Sequence, residues 1–345
     1  MPAQGGPLTR ALSKRRARQV HIKRNIAIAA ALLTATSLSA CAPAEELATE
    51  VTVVTHDSAV FTDEVLAAFK AETGIIIKQI KAGDTGAMTN KLVLTKDAPI
   101  GDAFFGIDNT FGGVAIDNDI IDGGLTAIDF GDVCLNYDKN WFATNKLVAP
   151  TTIDDLTKPA YKGLTVVSNP TSSSPGLAFL AATVSKFGAD DWQAYWTSLK
   201  ANGVKIAAGW EDAYFTEFSG SSGKGAYPIV LSYSSSPAFE VREDGISQTA
   251  SINDGCFRQI EYAGVLKNAK HKAAAEKLVK FLTEKTFQKS LPDAMYVYPV
   301  DTTIALPKAW ADWAPAATAP LGEELNISAD RKSWLDAWSK IFAAN

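Results

Sequence analysis

The sequence predicts an α/β protein built as two lobes. Two observations carry this. Residues 51–109 read as β-α-β-α-β, and residues 164–232 are again built of strand and helix patterns in turn. Such alternation marks a largely parallel sheet flanked by helices. In addition, about 300 residues remain once an N-terminal leader is set aside, more than a single hydrophobic core usually organises.

The leader is residues 1–40. Arg10, Lys14, Arg15, Arg16, Arg18, Lys23 and Arg24 precede an apolar run from Ile26 to Leu33, and small residues continue to Ala40. This is the pattern of an export signal, too short between charge and cleavage site for a membrane span. The Arg15-Arg16 pair lacks the apolar partner of twin-arginine signals. The ending Leu38-Ser39-Ala40-Cys41 resembles the lipobox of bacterial lipoproteins. That resemblance implies that Cys41 is lipidated, that the mature chain is exported and anchored to the cell membrane, and that residues 41–50 form a tether. A cut elsewhere would leave a free secreted protein.

Removing the leader changes the charge. It holds seven Lys/Arg and no acid, so the remainder carries 26 basic and 38 acidic residues, a net of −12. A nucleic-acid partner is excluded as the main function, because phosphate contacts need clustered Lys and Arg. A cationic small ligand suits the balance. Cys134 and Cys256 form an even pair in an oxidising compartment, so a disulfide is expected, with two buried free thiols as the competing reading. Only His21, His56 and His271 occur, which leaves a zinc site without ligands at suitable spacing.

The first strand pattern is 51–55 and stops at His56-Asp57-Ser58. A helix follows over 63–73, with Val65, Leu66 and Phe69 on one face and Gly74 as its stop. A strand over 75–80 leads through Asp84 into a helix over 87–95. A third strand, 103–107, ends at Asp108-Asn109. Ligands of open α/β sheets sit beyond the C-terminal ends of strands. Asp57, Asp84 and Asp108 therefore make a candidate cation-binding rim, although an Asp after a strand also caps helices.

A helix over 110–118 and an extended crossing over 128–138 lead to the second lobe. There a strand, 164–167, runs into Ser168-Asn-Pro-Thr171-Ser172-Ser173-Ser174-Pro175-Gly176-Leu177 and a helix to Phe187. Free backbone N–H groups at such a junction form an anion cradle; an ordinary N-cap with Pro in the first turn is the competing reading. Residues 190–201 form an amphipathic helix whose Trp192, Tyr195 and Trp196 read as core. Strand 204–207 delivers Gly209-Trp210-Glu211-Asp212-Ala213-Tyr214, and helix is expected to continue over 214–222. Strand 227–232 ends in Ser232-Tyr233-Ser234-Ser235-Ser236-Pro237-Ala238-Phe239. Aromatic faces beside carboxylates suit a flat organic cation; packing of Trp210 and Tyr214 on a helix face is the alternative. A return strand from 252, a helix over 268–282 continued by 287–291, a stop at Pro292 and a loop over 295–300 follow. Trp310, Trp313, Trp334 and Trp338 read as packing.

Five segments carry a resemblance in order and spacing: His56-Asp57-Ser58, Gly106-Ile-Asp108-Asn109, Thr171–Leu177, Gly209–Tyr214 and Leu231–Phe239; Tyr298-Pro299-Val300 is a weaker sixth. Together they resemble the thiamine-binding members of the extracytoplasmic solute-binding proteins of ABC importers. The resemblance implies a two-lobe, type II periplasmic-binding-protein-like fold. Lobe 1 would span 51–133 and 257–300, lobe 2 would span 137–254, and a C-terminal helical segment, 301–345, would pack on both. It implies thiamine, its monophosphate or its diphosphate as ligand, no other cofactor, a membrane permease as partner and a monomeric state. An enzyme is the rival of a different class, with Asp108 and Glu211 as its conceivable carboxylate pair, but no nucleophile elbow, metal triad or paired acid/base motif emerges. Trp210 and Tyr233 would face the two rings, and Asp57 and Asp84 would supply carboxylates. Ser172, Ser173 and Ser174 would lie near the hydroxyethyl or phosphate end. Asp108, Tyr214, Ser236, Phe239 and Tyr296 complete the candidate site. Phe239 stands where members can carry Tyr, and Tyr296 where they can carry Trp. Hinge strands are expected near Cys134 and Cys256. The rival within the same superfamily is a ferric-ion binder, which calls for adjacent phenolates; here Tyr233 is followed by serines.

Overall fold

The computed structural model describes residues 48–222 and 224–343. The export signal, Cys41 and most of the tether lie outside the described residues. Among the described residues one mixed sheet is formed by β1 (Glu50–Thr55), β2 (Ile76–Lys81), β3 (Ala103–Asp108), β4 (Ile121–Asp138), β5 (Thr165–Ser168), β6 (Lys205–Ala207), β7 (Ile229–Tyr233), β8 (Thr249–Leu266) and β9 (Tyr298–Pro299). Its order is β2-β1-β3-β8-β4-β7-β5-β6, with β9 paired to β4. β1 runs parallel to β2 and β3, and β5 parallel to β6 and β7. The long strands β4 and β8 are antiparallel to each other and to the parallel set each borders. Each lobe is thus three parallel strands edged by a long strand that both lobes share. The expected lobe limits at 133/137 and 254/257 fall inside β4 and β8.

Local chemistry explains the first elements. The helix Asp63–Thr73 starts where the Thr62 hydroxyl accepts the Val65 N–H at 3.3 Å. It stops at Gly74, whose φ of 74° lets its N–H reach the Lys70 carbonyl. Val65 and Phe69 are its buried face. Phe69 meets Phe281 of the helix Lys272–Leu282 at 5.1 Å between ring centroids. Burying a side chain of this size contributes roughly 1.5–3 kcal/mol. In lobe 2 the helix Ser174–Ala201 is kinked at Gly188 (φ 76°, ψ 173°), where the sequence divides it. Trp196 is fully buried, its Nε1 donating to Thr183 Oγ1 at 2.9 Å. The C-terminal helix Ile327–Ala343 lays Trp338 edge-on to Trp196 at 5.9 Å.

Several expectations shift. The wide turn Asp212–Glu217 is a π-helix, and Phe218 is already extended, so helix does not continue to 222. β4 begins at Ile121, ahead of the expected crossing, because pairing with β8 carries the strand past Gly123 and Gly124. The helix expected from 268 begins at Lys272. Pro292 does not end a helix; it occupies the first turn of the short helix Leu291–Ala294, where a missing N–H costs nothing. Cys134 on β4 is disulfide-bonded to Cys256 on β8, and both are buried. Among the described residues no helix is long and apolar enough to cross a membrane.

Candidate functional site

A cleft of about 880 Å³ opens between the two sets of parallel strands. Its wall on the second lobe is aromatic. Trp210 follows β6 and stacks on Tyr214 at 5.2 Å and 18°. Tyr214 is itself buried, with its hydroxyl donating to Glu240 Oε1 at 3.0 Å. The indole Nε1 of Trp210 donates to Ser232 Oγ at 2.9 Å, and Ser232 Oγ lies 2.7 Å from Ser236 Oγ. The half-buried indole is therefore fixed from behind and at its edge. Tyr233 closes in at 6.0 Å and 66°. Phe215 and Phe239 extend the arc, and Phe239 meets Tyr296 edge-on at 5.0 Å.

The opposite wall and floor are acidic. Asp57 lines the cleft and accepts the Gly83 N–H on Oδ1 at 2.9 Å. Glu211 reaches across to accept from Ser58 Oγ at 3.1 Å, so it ties the two lobes at the mouth. Lys81 lines the cleft, with Nζ 2.5 Å from the Asp57 carbonyl. Asp84 also lines it, but in a role the sequence did not reveal. Its Oδ1 accepts the N–H of Thr85 at 2.7 Å and of Ser174 at 3.2 Å, while Oδ2 accepts the Trp210 N–H at 2.9 Å. A carboxylate from the first lobe thus occupies the anion cradle expected at Ser168–Leu177 of the second.

Two candidate residues lie elsewhere. Asp108 is not on the rim but sealed beneath it. Its Oδ1 accepts from Thr110 N, Thr110 Oγ1 and Phe111 N at 3.2, 2.8 and 3.1 Å, so it closes the turn ahead of the helix Gly112–Asp117, whose N-terminus has no side-chain cap. Burial pushes its carboxyl up to about 7, with nearby Glu261 adding to the rise and the hydrogen bonds opposing it. Ser173 is buried and its hydroxyl has no partner; its neighbours Ser172 and Ser174 line the cleft instead. Ser172 Oγ donates to the Ala208 carbonyl at 2.9 Å.

Sequence reasoning also missed two floor residues, His56 and Glu261. His56 directly follows β1, and Glu261 lies on β8 among alternating polar and apolar residues. Burial alone would lower the His56 pKa, but the carboxylates of Glu261, Asp84 and Asp57 outweigh it and raise the value. Burial, reinforced by the surrounding carboxylates, holds the Tyr233 phenol well above its ordinary range; its hydroxyl donates to Gln259 Oε1 at 3.1 Å. Among the described residues no three His, Cys, Asp or Glu side chains are grouped to hold a metal ion.

Residues 108–318 match the family described as bacterial extracellular solute-binding protein. The chain belongs to that family. This solute-binding protein is the substrate-binding component of an ABC importer. It is similar to the thiamine-binding periplasmic protein of Salmonella typhimurium, at 27% identity over 292 residues, covering 79% of this chain and 86% of the relative. A solved periplasmic thiamin binding protein superposes with a TM-score of 0.74 at 24% identity, covering 86% of this chain and 98% of its own. The apo ferric ion-binding protein A of Pasteurella haemolytica gives a TM-score of 0.68 at 18% identity, covering 86% and 99%. These likenesses establish the type II two-lobe fold for this solute-binding protein.

Proposed function

We propose that this protein binds thiamine, or thiamine carrying one or two phosphates, in the cleft and presents it to a membrane permease. The observation that carries the reading is the Trp210 platform. A half-buried indole, fixed by Tyr214 and Ser232, faces a cavity whose other walls are rich in carboxylates. A flat cation gains from both, through the ring face and through charge neutralisation. The named relatives support the same ligand. The role is binding and release by lobe closure about β4 and β8 rather than catalysis, in a monomer held at the extracytoplasmic face of the cell membrane by lipid on Cys41.

The test is calorimetric titration with thiamine, its monophosphate and its diphosphate, followed by tryptophan fluorescence. Thiamine is expected to bind and to quench emission saturably. Trp210→Ala is expected to weaken binding by at least about 30-fold, the cost of losing a central aromatic anchor. Absence of any heat with thiamine, together with tight ferric-ion binding and a visible phenolate band, would sink the reading.

A further inference from the structure

The floor of the cleft contains a charged pair apart from the Trp210 platform. His56 Nε2 lies 3.3 Å from Glu261 Oε2, and both residues are nearly buried while lining the cavity. The other oxygen of Glu261 accepts from Gln259 Nε2 at 3.1 Å. Gln259 is neutral, so His56 is the ion-pair partner of Glu261 among the described residues. The imidazole cannot drift away. It packs on Gly106, where a Cβ would come within 2.0 Å of His56 Cδ2 and where φ is 103°.

The other acids around this pair are already engaged or sealed. Asp57, on the same loop, accepts from the Gly83 N–H, and Asp84, capping the helix Thr85–Leu94, holds backbone N–H groups of the second lobe. Asp108 on β3 and Asp129 on β4 are fully buried, and Tyr233 at the end of β7 is tied to Gln259. Lys81, the lysine lining the cleft, has its Nζ on the Asp57 carbonyl. A buried carboxylate such as Glu261 needs a compensating charge, and a protonated His56 at 3.3 Å is placed to supply it.

We propose that Glu261 receives the positive charge of the ligand and that His56 is the built-in cation which the ligand replaces. The inference rests on the reading that the cleft takes a cationic ring. The balance is simple: bound ligand cation faces Glu261 carboxylate, His56 becomes neutral, and one proton leaves to solvent. Net charge is conserved, because the released proton carries away what the imidazolium held. Neutral His56 remains a hydrogen-bonding group and no longer repels the ligand. Affinity for a permanent cation is then limited at low pH, where the imidazolium competes most strongly. It rises with pH by up to about tenfold per unit while His56 is protonated and levels off above its pKa.

The experiment is titration calorimetry of the purified protein with thiamine between pH 6 and 8, at each pH in two buffers of different ionisation enthalpy. Proton release on binding, largest at the acid end, with affinity rising and then flattening, is the expected result. His56→Gln should abolish both the proton release on thiamine binding and the pH slope of affinity. Should that variant fold poorly, the wild-type imidazole resonances decide: the His56 pKa should fall when thiamine is added, while His271, paired with Asp102 outside the cleft, should not move. Thiamine binding with no proton exchange and a flat affinity overturns this inference and leaves the ligand reading standing. No thiamine binding at any pH overturns both.

Discussion

Removing the disulfide tests how the shared strands hold the molecule together. Cys134 and Cys256 sit where the β4/β8 register breaks: Val133 pairs with Phe257, but Leu135 pairs with Ile252. The bond therefore closes an irregular stretch between the strands that connect the lobes, and it spans 122 residues of sequence. Opening a loop of that length restores chain entropy to the unfolded state worth about 5 kcal/mol. Replacing both residues by Ala should cost at least that much, since two buried sulfurs are lost as well. The clean comparison is urea denaturation of oxidised protein, of the same protein unfolded and refolded under reductant, and of the double Ala variant. The midpoint should fall, the slope should rise because the unlinked unfolded chain exposes more surface, and Tm should drop on the order of 10 °C. A stability loss below about 1 kcal/mol in the reduced protein would refute the reasoning, because the cross-link would then restrain nothing that strand pairing does not already restrain. Ligand affinity supplies a second readout. If the staple also keeps the shared strands in register for closure, reduced protein that remains folded will bind thiamine more weakly.

Other outcomes follow from single contacts. Asp84→Ala removes two charge-assisted bonds between the lobes, each worth about 1.5 kcal/mol or more, and should lower thiamine affinity at least tenfold; small-angle scattering should show the unliganded protein expanding. Asp108, whose folded pKa is raised to about 7, favours the folded state below its unfolded pKa, and that contribution fades as pH rises through 7. Asp108→Asn should therefore flatten the fall in stability between pH 5 and 7.5, a difference on the order of a few kcal/mol, measured by denaturation midpoints. Gly106→Ala places a methyl on the His56 ring and forces a left-handed φ on alanine; it should cost about 1–3 kcal/mol and shift the His56 imidazole resonances.

What the sequence made legible were features whose cause is local. The helix Asp63–Thr73 shows its cap, its apolar face and its Gly74 stop within a dozen residues, and the structure matches it residue for residue. The three parallel strands of the first lobe are likewise visible as apolar runs punctuated by Asp or Gly. The cleft was half legible. Trp210 and Tyr233 stand out because aromatics beside hydroxyls and acids are unusual after strand ends. Glu261 does not stand out, since Arg258-Gln-Ile-Glu-Tyr262 alternates as any half-exposed strand would. Only the placement of β8 between β3 and β4 turns its polar face into the floor of a cavity. Asp108 and Asp84 show the converse. Both follow strand patterns in sequence, but N–H groups at Thr110 and Phe111 claim one, and N–H groups ninety or more residues away claim the other. No local pattern distinguishes a carboxylate that waits for a ligand from one already satisfied.

The same geometry bears on the ferric alternative, which the fold alone does not decide, because iron binders share it. A ferric site built on tyrosine needs phenolates, and a phenolate forms readily only where the surroundings favour negative charge. Here they oppose it. Tyr233 is half-buried beside Glu261, Asp84 and Asp108, and its hydroxyl already donates to Gln259. Tyr214 is buried against Glu240, to which it donates. Both phenols are pushed well above their ordinary range by burial first and by neighbouring acids second. Ionising either would place a new negative charge in a cavity already crowded with carboxylates. A permanently charged organic cation meets the opposite situation: it relieves that crowding without any phenol having to lose a proton to coordinate it. The acidity of the cleft, the neutral state of its tyrosines and the fixed indole at Trp210 therefore favour one kind of cargo, a flat ring that arrives with its charge already in place.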